Sequence, residues 1–239
     1  MKITIVGNMC TWTKELSTSY ILNDDTLVDV PQGSFKTLYN EYNLENIKNI
    51  FITHFHSDHF ADLHLVLDVL INRYNKDKIN ILGPKGCRDR LVELAKILDT
   101  GKLAGFIDEH VNFFESKHGA IFKIGNYKIK TYAMTHKMFD AYGFTIEDKD
   151  GIKVGFSGDS CICNSVHKII KNSKAIFIDC ASVNMNNAHL SVQEVLDLKS
   201  EYPKTSFYPV HFSYESKALA LENGLIETYQ GQVVNIKKD

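Results

Sequence analysis

Thr53-His54-Phe55-His56-Ser57-Asp58-His59 follows directly on the apolar run Ile50-Phe51-Ile52. A short apolar run of this kind reads as a buried strand. The polar cluster therefore falls where a strand gives way to a loop, a usual place for reactive groups on a rigid scaffold. Imidazole and carboxylate are ligand types for zinc and related divalent ions. Alternate residues of an extended chain share a face, so His54 and His56 point the same way. Asp58 and His59 come after the chain has turned and can reach a second point nearby. One tight loop can thus start two adjacent metal sites. A lone histidine is ordinarily a surface or core residue, but four potential ligands in six positions have no simple packing explanation.

The chain has 239 residues, 44% of them apolar and 23% charged, an ordinary balance that can fill a sizeable core. No linker-like stretch divides it and only four prolines occur, so one domain over 1–239 is expected. A formal net charge of −2 argues against a generally basic nucleic-acid binder. Cys10, Cys87, Cys161, Cys163 and Cys180 are odd in number and lack framework spacing, which suits free thiols in a reducing compartment. Cys161-Ile162-Cys163 is too weak a pair to read as a metal site by itself. No stretch approaches transmembrane length, and residues 1–7 lack the apolar region of a signal peptide. A cytoplasmic protein without membrane contact is the expectation.

Alternating residues predict strands over 2–7 and over 19–30, the second set a hairpin around Asn23-Asp24-Asp25. Further strands are expected over 50–53, 78–82, 153–157, 175–179, 205–210 and 232–236, and an alternating region runs over 121–146. Helices are expected over 34–42, 61–73, 87–98, 165–171, 191–200 and 213–221. Ser191 with Glu194 three residues on forms a capping-box pattern. His64 on the 61–73 helix reads as exposed or supporting, not a ligand. Residues 101–118 are mixed and partly aromatic (Phe106, Phe113, Phe114); core packing is the expectation, and His110 and His118 read as solvated.

The 54–59 stretch resembles the His-x-His-x-Asp-His signature of the metallo-β-lactamase superfamily, and the match is complete. That resemblance implies an α+β fold, a four-layer αβ/βα sandwich with metals at one edge between the sheets. His136, Asp159 in Gly158-Asp159-Ser160, and His211 each follow a predicted strand and resemble the superfamily's next motifs in order. By that resemblance His54, His56 and His136 hold one divalent ion. Asp58, His59 and His211 hold a second, and Asp159 bridges the two. Ligands without a thiolate suit Zn²⁺, with Mn²⁺ or Fe²⁺ as alternatives. Asp58 is also expected to take a proton from the attacking water.

His189, in Ala188-His189-Leu190-Ser191, resembles the His-x-Ser/Thr motif of the ribonuclease Z-like branch of phosphodiesterases. There the imidazole donates a proton to the leaving oxygen or binds a phosphate oxygen, and phosphodiester cleavage needs such a group because an alkoxide leaves poorly without a proton. Tyr142-Gly143-Phe144 after His136, and Ser213 after His211, resemble the same branch. Two features depart from it. The position of a histidine-orienting glutamate is expected at Cys180, with Asp179 turned to the other face by strand alternation. A long basic arm for gripping tRNA is not apparent. The expected activity is therefore a dinuclear metal phosphodiesterase acting on a small substrate such as a cyclic nucleotide, with Asp58 and His189 catalytic. The alternatives are tRNA 3′-end processing and hydrolysis of a thioester, lactone or β-lactam, the last of which would not need His189. A homodimer is expected from the resemblance.

Overall fold

Lys2–Gly7 (β1) pairs antiparallel with Ser19–Leu22 (β2), which turns back into Thr26–Val28 (β3). The hairpin closes through Asn23 and Asp24 at φ 44° and 63°, the left-handed conformation that these short polar side chains tolerate. From β3 the pairing becomes parallel, through Asn49–Phe51 (β4), Ile79–Gly83 (β5) and Val111–Glu115 (β6). Parallel strands need crossovers, and helices supply them: Ser34–Glu41 (α1), the short Ser57–Phe60 (α2), Leu63–Asp68 (α3), Cys87–Ile97 (α4) and Gly101–His110 (α5). The computed structural model describes residues 1–98 and 101–238.

The second sheet starts as a meander of Ile121–Ile124 (β7), Tyr127–Ala133 (β8), Tyr142–Glu147 (β9) and Lys153–Phe156 (β10). It continues in parallel through Ala175–Asp179 (β11) and Ser206–Val210 (β12). Asn164–Lys171 (α6), Val192–Glu201 (α7) and Tyr214–Glu222 (α8) cover its outer face. Val233–Asn235 (β13) returns to the first sheet beside β1. Among the described residues the strand orders are β13-β1-β2-β3-β4-β5-β6 and β12-β11-β10-β9-β8-β7.

Ile3, Leu22, Val28 and Phe51 of the first sheet meet Phe144, Ile146, Phe156 and Phe177 of the second in a shared inner core. Tyr20 joins them edge-on, its ring 5.1 Å from both Phe156 and Phe177. The outer face of each sheet packs against its own helices. This is the expected α+β sandwich of four layers.

Two local expectations change. Residues 61–73 do not form one helix: α3 passes into a π-helical turn, Val69–Arg73. His64 is buried, not exposed, with Nδ1 2.8 Å from the Ala61 carbonyl oxygen. The 101–118 region resolves into packing: Leu103 and Ile107 lie in the outer core, with Phe106 and Phe113 against it. His110 is half-buried, with Nδ1 3.0 Å from the Lys76 carbonyl oxygen.

Gly143 shows why α6 sits so close to β9. A Cβ there would lie 2.7 Å from Ile169 Cδ1 and from the Ser157 carbonyl oxygen, and 2.8 Å from that of Phe156. The two carbonyls belong to the neighbouring backbone and cannot swing away. Gly143→Ala should lower the unfolding free energy by roughly 1–3 kcal/mol, the usual range for overpacking. Urea denaturation followed by far-UV circular dichroism measures it, and an unshifted midpoint would mean that the sheet yields more easily than its contacts imply.

Candidate metal centre

The C-terminal ends of strands from both sheets converge at one edge of the sandwich. β4 delivers Thr53, His54 and His56, and the chain then winds into α2, which carries Asp58 and His59. His136 follows β8, Asp159 follows β10 and His211 follows β12. Two of these turns are conformationally demanding. Gly158 has φ 59°, and a Cβ there would lie 3.1 Å from the Thr53 side chain, so a glycine allows Asp159 to approach the 54–59 loop. His211 itself takes φ 61°, a conformation costly for a side chain of its size and commonest where function imposes it.

The donor atoms are crowded. His54 Nε2 lies 3.0 Å from His56 Nδ1, and His136 Nε2 lies 3.2 Å from the same atom. Asp159 Oδ2 completes this group at 3.6 Å from His54 and 3.9 Å from His136. In the second group Asp58 Oδ2 is 3.8 Å from Nε2 of both His59 and His211. Asp159 reaches it as well, with Oδ1 3.4 Å from His59 Nε2 and Oδ2 3.2 Å from His211 Nε2. A tetrahedral ion with bonds of about 2.0–2.1 Å sets its donors about 3.3 Å apart, close to these spacings. All seven expected ligands are therefore brought together, in the two groups expected, with Asp159 between them.

A further observation tests the fit of metal ions. His59 Nε2 is buried and, among the described residues, makes no hydrogen bond. A buried nitrogen without a partner is costly. A divalent ion at the meeting point of Asp58, His59, His211 and Asp159 would satisfy it. The donor set and the orphaned nitrogen both fit such an ion.

The far sides of the His54, His59, His136 and His211 rings are each fixed by a partner. His59 Nδ1 donates to Asp29 Oδ2 at 2.7 Å. Asp29 also accepts from the Thr53 amide and hydroxyl, both at 2.8 Å. Thr53 Oγ1, having spent its proton, accepts from His54 Nδ1 at 3.1 Å. His136 Nδ1 donates to the Ala188 carbonyl at 2.7 Å, and His211 Nδ1 pairs with Thr18 Oγ1 at 3.2 Å. These contacts select tautomers that turn an unprotonated Nε2 into the site. Asp29 was not anticipated from the sequence. Its only signal is an acid between Val28 and Val30 at a strand end, and its left-handed φ of 58° appears only in three dimensions.

Burial, reinforced by neighbouring imidazoles, pushes His54 well below its ordinary pKa and lowers His56 and His211, keeping them in the neutral form that binds metal. Burial opposes ionisation of Asp159, but His211, His59 and His54 outweigh it and hold that carboxyl well below the usual range. Asp58 is lowered too: His59 and His211 overcome its burial. His59 moves the other way. Burial lowers it, yet Asp159 and Asp29 raise it well above an ordinary histidine, so a proton competes with a cation for its Nε2 lone pair.

His189 lies at the open side of the cluster, its ring stacked 5.4 Å from that of His211 and edge-on 5.0 Å from that of His136. Its Nδ1 donates to Asp179 Oδ2 at 2.9 Å. That corrects the expectation that Asp179 faces away. Along β11, Ala175 and Phe177 face the inner core while Ile176, Ile178 and Cys180 face the helices. Alternation therefore turns Asp179 toward the site and buries Cys180 in the helix layer, where it cannot orient His189. Asp179 is itself held by the amides of Ser160 at 3.1 Å and Ala181 at 3.0 Å. Burial lowers the His189 pKa, but Asp179, through its charge and hydrogen bond, and Asp159 outweigh this and raise it to about 9.

Fold and sequence likeness together define a metallo-β-lactamase-fold protein of the ribonuclease Z-like branch. The family model described as Anti-Pycsar protein Apyc1 matches residues 1–234, and the chain belongs to that family. Ribonuclease Z of Thermoplasma volcanium is 32% identical over 130 residues, which is 54% of this chain and 40% of that protein. The match thus spans well under half the length of that curated relative. Among solved structures, the short form of human tRNase Z superposes with a TM-score of 0.78 at 18% identity, over 100% of both chains. The metallo-β-lactamase fold protein YhfI from Bacillus subtilis gives 0.76 at 16% identity, over 98% of this chain and 99% of that one. At such identities these likenesses show the fold alone.

Asp29→Asn keeps the ring contact but removes the charge behind His59. Loss of such a supporting carboxylate typically costs about 10- to 100-fold in metal affinity. Competition with a chromogenic chelator should show that drop for part of the bound metal, and unchanged affinity would remove Asp29 from the design of the site.

Proposed function

We propose that this chain is a dinuclear phosphodiesterase that hydrolyses a small phosphodiester, a cyclic nucleotide. In this reading His54, His56 and His136 would hold one divalent ion and Asp58, His59 and His211 the other, with Asp159 available to both groups. Their nitrogen and oxygen donors suit Zn²⁺. When bound, such a pair of ions acidifies a water and offsets the charge developing on the phosphoryl oxygens. The remaining work falls to the chain's own side chains. Asp58, kept ionised by its imidazole neighbours, accepts a proton from the attacking water. His189 gives a proton from Nε2 to the leaving alkoxide, while Asp179 fixes its ring through Nδ1 and stabilises the imidazolium.

The observation that carries the reading is the 2.9 Å bond between His189 and the buried Asp179. It makes His189 an aligned, protonated acid beside the metal cluster, which hydrolysis of a thioester, lactone or β-lactam does not require. Five free cysteines among the described residues suit a cytoplasmic setting, and a homodimer is the proposed assembly.

The ribonuclease Z relatives favour a second reading, cleavage of tRNA precursors. The site cavity, about 440 Å³ and lined by Asp58, His136, Asp159 and His189, is sized for a small ligand. With a net charge of −2 the chain offers little to hold a polyanion. A screen of the metal-loaded protein on cyclic mononucleotides, bis(p-nitrophenyl) phosphate, a precursor tRNA and nitrocefin separates the readings. Salt-sensitive cleavage of the tRNA with no turnover of the mononucleotides would favour the second.

His189→Ala should lower kcat on a cyclic nucleotide by roughly 10²- to 10⁴-fold while metal analysis finds both ions retained; full activity would point to acyl hydrolysis instead. The acid form of His189 exists below its raised pKa and disappears as pH rises through it, so kcat should fall on the alkaline side. Asp179→Asn removes the carboxylate that holds this value up. The alkaline limb of the kcat–pH profile should therefore move to lower pH, and a limb that stays in place would deny Asp179 its part.

A further inference from the structure

Trp12 is the chain's only tryptophan and its side chain is 89% exposed. An indole left in water forgoes the burial that usually dominates its energetics, so its position calls for a reason. It stands on the wall of the same cavity of about 440 Å³ that holds Asp58, His136 and His189. The loop that carries it is tied to the site from both ends. The Cys10 amide donates to the Phe212 carbonyl, next to His211, at 2.9 Å. Thr11, one residue before the indole, lines the same cavity as Asp58. On the far side, the Lys14 amide donates to the Tyr214 hydroxyl at 2.9 Å, which in turn donates to Glu15 at 2.8 Å. The backbone around Trp12 is thus fixed relative to the histidine cluster while its ring is exposed on the cavity wall.

We propose that Trp12 is the platform on which the nucleobase of the substrate stacks while its phosphodiester sits among the histidines. A flat, polarisable ring with an open face binds any base through its π-system, and such stacking depends little on base identity. The indole supplies affinity for the base, and the chemistry at the phosphorus is left to the residues already described. The placement of the phosphodiester rests on the reading of a nucleotide substrate given above.

A single tryptophan makes the test direct, because intrinsic fluorescence reports residue 12 alone. The metal-loaded protein is titrated with the phosphorothioate analogue of a cyclic mononucleotide and, separately, with a base-free methyl riboside cyclic phosphate. The nucleotide should quench the emission saturably and the base-free compound should not. In steady-state kinetics W12A should raise KM for a cyclic mononucleotide by roughly 5- to 150-fold, the loss expected for one stacked base. Its kcat should stay within about threefold, its kinetics on the base-free compound should be unaltered, and W12F should restore most of the affinity. Equal quenching by both compounds, no quenching by either, or an unchanged KM in W12A would each overturn the proposal. So would a blue-shifted emission in the free protein, which would mean that a second copy of the chain already covers the ring. Should the wild type hydrolyse no cyclic mononucleotide, the phosphodiesterase reading fails, whereas the titration still decides whether Trp12 receives a base.

Discussion

Seven electron-rich side chains are pressed together at one edge of this sandwich, with imidazole nitrogens as close as 3.0 Å. Left to themselves, buried donors and acceptors of one kind would spread apart or take up water. What prevents this is a rigid frame: five of the ligands follow strand ends and Asp58 and His59 ride on α2 beside them, and the strands are locked by a core shared between two sheets. Orienting hydrogen bonds on the far side of the rings then hold the nitrogens pointing inward. The crowding is stable because the scaffold opposes its relaxation, and it makes the site a receptor for cations.

Two buried carboxylates do parallel jobs from opposite sheets. Asp29 sits at the end of β3 and holds His59; Asp179 ends β11 and holds His189. Each accepts backbone amide hydrogens as well, from Thr53 in one case and from Ser160 and Ala181 in the other. The consequences differ with place. Behind His59 the carboxylate strengthens a group that faces the cluster, whereas behind His189 it keeps a proton on a ring at the open side. In the proposed function one device, an acid at a strand end, would serve metal binding in one sheet and proton supply in the other.

The outer wall of the cavity follows a different logic. Its inner residues are fixed by burial, while Trp12 projects from a loop that is anchored at its base and open at its tip. If the proposed phosphodiester binds here, a frame that is most precise around the buried ligands and leaves an exposed ring on the wall would separate chemistry from recognition.

The 54–59 run, the single residues His136, Asp159, His189 and His211, and nearly every strand and helix are legible in the sequence. Strand-end placement and period are local properties, and the histidine signature is dense enough to stand out unaided. The capping box at Ser191 is likewise local and is present as read. Three things belonged to the tertiary structure alone. Which face of β11 looks into the site depends on what packs on each side, so Asp179 and not Cys180 emerged as the partner of His189. Asp29 acquires its role only through a strand that pairs next to β4, and Trp12 gains meaning only from standing beside a centre most of whose ligands lie far along the chain. Residue type and spacing determine what a segment can be, whereas contact across the fold decides what each side chain is for.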